Sequence, residues 1–242
     1  MAFRDSVVTS GTTGGSPSDV AVTTPTIVAG DRLYCFICAD SPSATIDDVP
    51  SGWTLIDSAQ GASPDGHLYA LYEKLVASGS EGASQTWSFD SSSVRWMAIM
   101  ASWSGRHATN APSFATETYN TSSNTSPISL SGSSGTAAAG DDIALFIGYD
   151  QTVSTATWTT ASYSSSLTEQ EDSNPIIWLS AALATRDSVG AGAFGTITAT
   201  GTRSGSGNAG YLMYALAIPA APGGGSDGDT ATVEKYKLRI AA

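Results

Sequence analysis

Two cysteines, two histidines and a charged fraction of 13% leave this 242-residue chain short of most reactive chemistry. The cysteines stand as Cys35-Phe36-Ile37-Cys38, the spacing of a redox or zinc motif. On a strand, residues three apart face opposite sides and their Cα atoms lie about 10 Å apart. A disulfide tolerates only about 7 Å, and zinc needs four ligands where no second cysteine pair exists. The expectation is therefore two buried, reduced core thiols, with no metal and no cofactor. A Ser-His-Asp triad would need His67 or His107 beside a nucleophile. The chain has no G-x-S-x-G elbow, and no catalytic residue is assigned.

Positive charge is scarce as well. Ten Lys and Arg stand against 22 Asp and Glu, a formal net charge of −12. Such a surface is repelled by phosphate backbones and by anionic lipid headgroups, so neither nucleic acid nor a membrane is an expected partner. No window approaches the roughly 18 apolar residues of a membrane span. Met1-Ala2-Phe3-Arg4-Asp5 carries no apolar leader core, which reads as synthesis in the cytoplasm without a signal peptide. The Glu, Lys, Gln and Leu that long helices use are replaced by Ser, Thr, Gly and Ala, which suit short strands and turns.

What the chain does contain is an internal echo. Ala29-Gly30-Asp31-Arg32-Leu33-Tyr34-Cys35-Phe36-Ile37 returns as Ala139-Gly140-Asp141-Asp142-Ile143-Ala144-Leu145-Phe146-Ile147, an offset of about 110 residues. Each copy reads as a Gly-Asp turn feeding an apolar strand. Trp53-Thr54 recurs as Trp158-Thr159, 68–76 as 176–184, 86–89 as 196–199, and 95–104 as 210–219. Short apolar runs separated by Gly, Ser, Asp and Pro indicate a sandwich or barrel. The predicted fold is all-β: one jelly-roll-like β-sandwich built from two pseudo-repeats, 25–104 and 135–219, with separate sandwiches as the alternative. Residues 1–24 form an N-terminal segment and 105–134 a connector. Trp96 to Ala101 and Tyr211 to Ile218 are apolar on consecutive positions, which requires burial on both faces or cover from a neighbouring subunit.

After Pro219 the composition changes. Residues 220–229 are a Gly-rich linker, and 230–242 form a C-terminal arm that alternates cleanly. Tyr236, Leu238 and Ile240 take one face, and Lys235, Lys237 and Arg239 take the other. A tethered strand of this kind invites pairing to a sheet edge, on its own sheet or on a neighbouring subunit. These six residues are the predicted interface.

The remaining motifs each have an ordinary reading. Gly205-Ser206-Gly207-Asn208-Ala209-Gly210 matches G-x-G-x-x-G, but a dinucleotide site needs a helix after it, and the echo puts a strand there. Asp47-Asp48, Asp141-Asp142 and Glu169, Glu171 and Asp172 supply carboxylates for glycoside hydrolysis or calcium. No EF-hand pattern accompanies them, and Asp at turns is expected for its own sake. The six tryptophans fall on predicted strands, where a core role is the default and sugar stacking the alternative. Asn120-Thr121-Ser122 and Asn124-Thr125-Ser126 fit the glycosylation pattern within a Ser/Thr-rich stretch.

A resemblance adds to this. Ala29-Gly30-Asp31-x-Leu33, Pro50-Ser51-Gly52-Trp53-Thr54-Leu55-Ile56-Asp57, 71–79, Gln85-Thr86-Trp87-Ser88-Phe89 and 96–105 together resemble a β-sandwich module recurrent in tailed-bacteriophage virion proteins and some large bacterial surface proteins. The likeness covers about residues 25–219. Pro-Ser-Gly-Trp-Thr-Leu is its most specific part, and Trp158 lacks the Pro-Ser-Gly before it. The resemblance implies a structural or adhesive role without catalytic residues. The expected function is a virion structural protein, decorating the capsid or associated with the tail and partnered by other virion proteins and copies of itself. The alternative is a carbohydrate-binding module that recognises a host surface glycan.

Overall fold

In a computed structural model the residues that the structure describes form strands joined by turns and loops, with no helix among them. These are 2–13, 18–41, 43–60, 67–91, 93–105, 109–121, 128–132, 136–150, 156–163, 166–176, 179–187, 189–193, 197–203 and 209–221. The first half contributes β1 (Phe3–Thr12), β2 (Ser18–Thr23), β3 (Arg32–Asp40), β4 (Ile46–Asp48), β5 (Thr54–Gln60), β6 (His67–Leu75), β7 (Ser84–Phe89) and β8 (Arg95–Trp103). The second contributes β9 (Ser113–Thr121), β10 (Ile128–Gly132), β11 (Thr136–Ala137), β12 (Asp142–Asp150), β13 (Ala156–Tyr163), β14 (Thr168–Ile176), β15 (Leu179–Arg186), β16 (Gly192–Ala193), β17 (Ile197–Arg203) and β18 (Ala209–Ile218).

The first half pairs as a five-stranded sheet, β1-β8-β3-β6-β5, and a three-stranded one, β2-β7-β4. The second half has the same plan, β9-β18-β12-β15-β14 and β10-β17-β13, with β11-β16 as a small extra pair. The all-β sandwich architecture is as expected, but the layer count differs from the single sandwich. Each half closes its own core, and the two sandwiches then stack through their five-stranded sheets. The reason is strand supply. Residues 1–24, read as a leading segment, provide β1 and β2. The connector provides β9 and β10. Each half thus has strands enough for two sheets.

Three clusters of buried residues follow from this stacking. Val20, Leu33, Cys35, Trp53, Tyr72 and Trp87 belong to the first core, and Ile143, Leu145, Ile197 and Met213 to the second. Between the sandwiches lie Tyr34, Phe36, Tyr69, Ile99, Trp103, Phe146, Leu183 and Tyr214. Strand β3 shows why its sequence is apolar throughout. Leu33, Cys35 and Ile37 enter the first core, while Tyr34, Phe36 and Cys38 enter the middle layer, as period-2 alternation requires. The cover over the second face is the chain's own other half.

The stacking brings the equivalent central strands of the two halves together. β1 lies along β14, β8 along β15 and β3 along β12. In the shared strand order β14 and β15 are the counterparts of β5 and β6, and β12 is the counterpart of β3. At the centre, Phe36 and Phe146 hold the middle positions of β3 and β12, and their ring centroids are 5.8 Å apart. Self-contact of equivalent residues is what an isologous interface produces. The faces also approach closely. A Cβ on Gly148 would lie 2.6 Å from Tyr69 Cε1 and 2.7 Å from Cys38 Sγ. Burial, and then Asp57 of the opposing sheet, push the pKa of the Tyr214 phenol up.

The N-terminal strand is locked in place. Arg4 donates from Nε to Asp31 Oδ2 at 2.7 Å and from Nη2 to Oδ1 at 3.0 Å. Thr26 N donates to Asp5 Oδ2 at 2.7 Å, and Ser6 N to Asp5 Oδ1 at 3.0 Å. Burial acts to raise the Asp5 carboxyl, but the hydrogen bonds from Thr26 and Ser6 prevail and hold it below its ordinary 3.8.

Two predictions follow from this packing. Phe36→Ala is expected to cost about 3–5 kcal/mol and Gly148→Ala about 1–3 kcal/mol from overpacking, both read from denaturant midpoints. Because the folded pKa of Asp5 is depressed, its contribution is present above pH 3.8 and is lost as pH falls through the lower folded value. The stability gap between the natural protein and Asp5→Asn should therefore shrink across that acid range, and a gap independent of pH would refute the assignment.

Candidate binding surfaces

The two Gly-Asp turns of the sequence echo are built alike. Asp31 N donates to Val28 O, Gly30 N to Val76 O and Val76 N to Asp31 O. Asp141 N donates to Ala138 O, Gly140 N to Val189 O and Val189 N to Asp141 O. Val28 N reaches Asp31 Oδ2 at 2.8 Å, and Ala138 N reaches Asp141 Oδ2 at 2.7 Å. Glycine is required in both, at φ +88° and +91°.

The turns differ in what meets the second carboxylate oxygen. Asp31 takes the Arg4 guanidinium on both oxygens. Asp141 Oδ1 instead accepts the backbone N–H of Ala220 at 3.0 Å. Beside Asp141 lies an open groove of about 640 Å³, lined among others by Ala111, Ser113, Thr136, Pro219 and Ala220. In the sequence Asp31 and Asp141 read as one recurring turn residue. The discriminating signal was Arg4, but the contact spans 27 residues and crosses to a strand that reads as a leading segment.

A second concavity of about 300 Å³ lies at β4 and β5, where the two sheets of the first sandwich part. Ile46, Leu55, Ser58, Gln60 and Tyr72 line it. Burial, and secondarily Cys35, push the Tyr72 phenol up to about 12. Its ring continues into the core against Trp87, at 5.9 Å between centroids. Leu55, 48% exposed, is the apolar lip of this cleft.

The other residues singled out from sequence are dispersed. Trp53, Trp87, Trp96 and Trp103 are all buried, and Trp53 donates to Gln85 Oε1 at 3.1 Å. Trp158 sits on β13 in the three-stranded sheet, whereas Trp53 immediately precedes β5, so the two do not correspond in the fold. His67 is buried on β6 with its ring against Tyr69 and the backbone of Gly210. Gly210 lies on β18, so the G-x-G-x-x-G run leads into a strand. Asp47 and Asp48 are exposed on β4, while Glu171 on β14 accepts the Ser6 hydroxyl across the two halves at 2.6 Å. Ion pairs Arg4–Asp31, Arg32–Glu73, Lys74–Glu81 and Arg95–Asp40 engage further charges internally. Among the described residues, no group of three or more His, Cys, Asp or Glu is placed to hold a metal ion. His107, Trp178, Asn124 and the predicted interface of Lys235, Tyr236, Lys237, Leu238, Arg239 and Ile240 lie outside the described residues.

Cys35 and Cys38 form no disulfide and lie buried on opposite faces of β3. Burial pushes the Cys35 thiol well above its ordinary value. No family model matches the chain, and no curated protein or solved structure is significantly similar to it.

Both thiols are expected to resist a water-soluble disulfide reagent in the native protein and to react fully in denaturant. Stoichiometric reaction of the native protein would contradict their placement.

Proposed function

We propose that this chain is a bacteriophage virion structural protein that decorates the capsid or associates with the tail. It works by packing against other virion proteins and copies of itself. The observation that carries this reading is the four-layer body. Two sandwiches are tied through an apolar middle layer into one thick unit, and the ion pairs Arg4–Asp31, Arg32–Glu73, Lys74–Glu81 and Arg95–Asp40 brace the first of them. A body of this kind suits load-bearing contact. The sequence likeness over residues 25–219 points the same way. Attachment would run through the C-terminal arm, with Tyr236, Leu238 and Ile240 as apolar anchors and Lys235, Lys237 and Arg239 meeting an acidic surface.

A second reading, a carbohydrate-binding module for host adhesion, is favoured by the cleft at β4 and β5. Ser58 and Gln60 supply polar groups there beside exposed Leu55, with the edge of buried Tyr72 as its floor. It lacks support from Trp53, Trp87, Trp96 and Trp103, which are buried.

Particles assembled with a chain lacking residues 223–242 should lose this protein while the purified chain stays folded. Unchanged occupancy would remove the arm as the tether. A glycan array with reproducible hits that vanish in Tyr72→Ala or Leu55→Asn would replace the structural reading with the adhesive one.

A further inference from the structure

The two sandwiches share a turn but not its counter-ion. Asp31 is 2% exposed and is neutralised by the bidentate guanidinium of Arg4. Asp141 is 6% exposed, and among the described residues it meets only the backbone N–H groups of Ala138 and Ala220. A carboxylate offers about four acceptor positions, so about two remain. The register explains the missing cation. Asp5 pairs with Ser102 of β8, and Ser113 pairs with Ala217, the matching position of β18. Ser113 therefore stands where Asp5 stands, while Arg4 is the extra residue of a bulge between Phe3 and Asp5 for which the register of β9 from Ser113 onward has no counterpart. Among the described residues no cationic side chain meets Asp141, and the groove of about 640 Å³ opens beside it.

We propose that this groove holds the basic face of the chain's own C-terminal segment, residues 230–242, with Asp141 as the counter-ion. The description of the chain stops at Ala221, and Pro219 and Ala220 form the groove's rim. The segment therefore starts at its binding place. It carries Lys235, Lys237 and Arg239, three of the ten basic residues in a chain of net charge −12. Arg239 repeats the chemistry seen at Asp31, since a guanidinium matches a carboxylate on two hydrogen bonds. Residues 222–229 reach roughly 26–29 Å when extended, at 3.3–3.6 Å per residue, and Gly223, Gly224 and Gly225 let them double back. A short flexible tether gives an effective concentration of order millimolar. The chain's own segment therefore outcompetes that of a second copy in dilute solution. The inference does not depend on the virion reading: it concerns the free protein, and attachment through the arm would first release it from the groove.

Hydrogen exchange of the full chain, read by mass spectrometry at low protein concentration, tests it. Amides of 230–242 are expected to exchange about tenfold or more slowly than an unstructured chain, and to lose that protection as salt is raised. Replacing Lys235→Ser, Lys237→Ser and Arg239→Ser together should abolish it without disturbing β12 or β18. Asp141→Asn should do the same. Where that variant loosens its own turn, seen as faster exchange at Ala138, the triple variant decides. Unprotected exchange of 230–242 in the natural chain overturns the proposal, as does protection that survives the triple variant. Protection that appears only with rising protein concentration, alongside a dimer in sedimentation, overturns the own-groove assignment in favour of contact between copies.

Discussion

The face between the two five-stranded sheets is the contact on which the rest of this structure depends. Each of those sheets is apolar on both sides, so neither sandwich alone buries its outer face. Phe36, Tyr69, Trp103, Phe146, Leu183 and Tyr214 would then meet water. Burial of large aromatic and aliphatic side chains contributes about 1.5–3 kcal/mol each, so a half with such a face uncovered would associate with another copy. The chain supplies the partner itself. Close approach at Gly148 and the Phe36–Phe146 contact make the fit specific.

That constraint also governs where chemistry is possible. Strands covered on both faces offer no wall for a deep central cavity. The concavities described lie at the margins, at β4 and β5 and beside the Asp141 turn. Side chains that looked reactive in sequence, the thiols and His67 above all, are built into the layers. The turns are the exception. They stand at the ends of the sandwich, and a carboxylate held there by backbone donors keeps acceptor capacity for a partner. Asp31 has found one in Arg4 and Asp141 has not, among the described residues.

Much of the fold was legible because it is local. Gly30-Asp31 and Gly140-Asp141 announce their turns through a positive φ and an aspartate that caps them. The runs at 32–39 and 142–149 announce buried strands by length and apolarity. Cys35 and Cys38 follow at once, since three residues along a strand reverse the face. Less legible were polar stretches. Val7-Val8 within Phe3–Thr12 is a weak strand signal, yet β1 completes a five-stranded sheet because β8 offers it a free edge. Trp158 resembled Trp53 by its neighbour Thr159 alone, and a two-residue match carries no information about which sheet receives it.

The sequence by itself determined that this protein is made of short antiparallel strands with Gly-Asp turns, that its thiols are buried and not joined in a disulfide, and that it carries a basic alternating tail. Those properties follow from periodicity, turn chemistry and composition, which act over a few residues. Only the tertiary structure decided that there are two sandwiches rather than one, that each covers the other's outer face, and that Asp31 acquires an arginine while Asp141 keeps an open groove. Those outcomes depend on which surfaces meet. Contact between Arg4 and Asp31, or between Phe36 and Phe146, joins residues whose separation along the chain leaves no local trace.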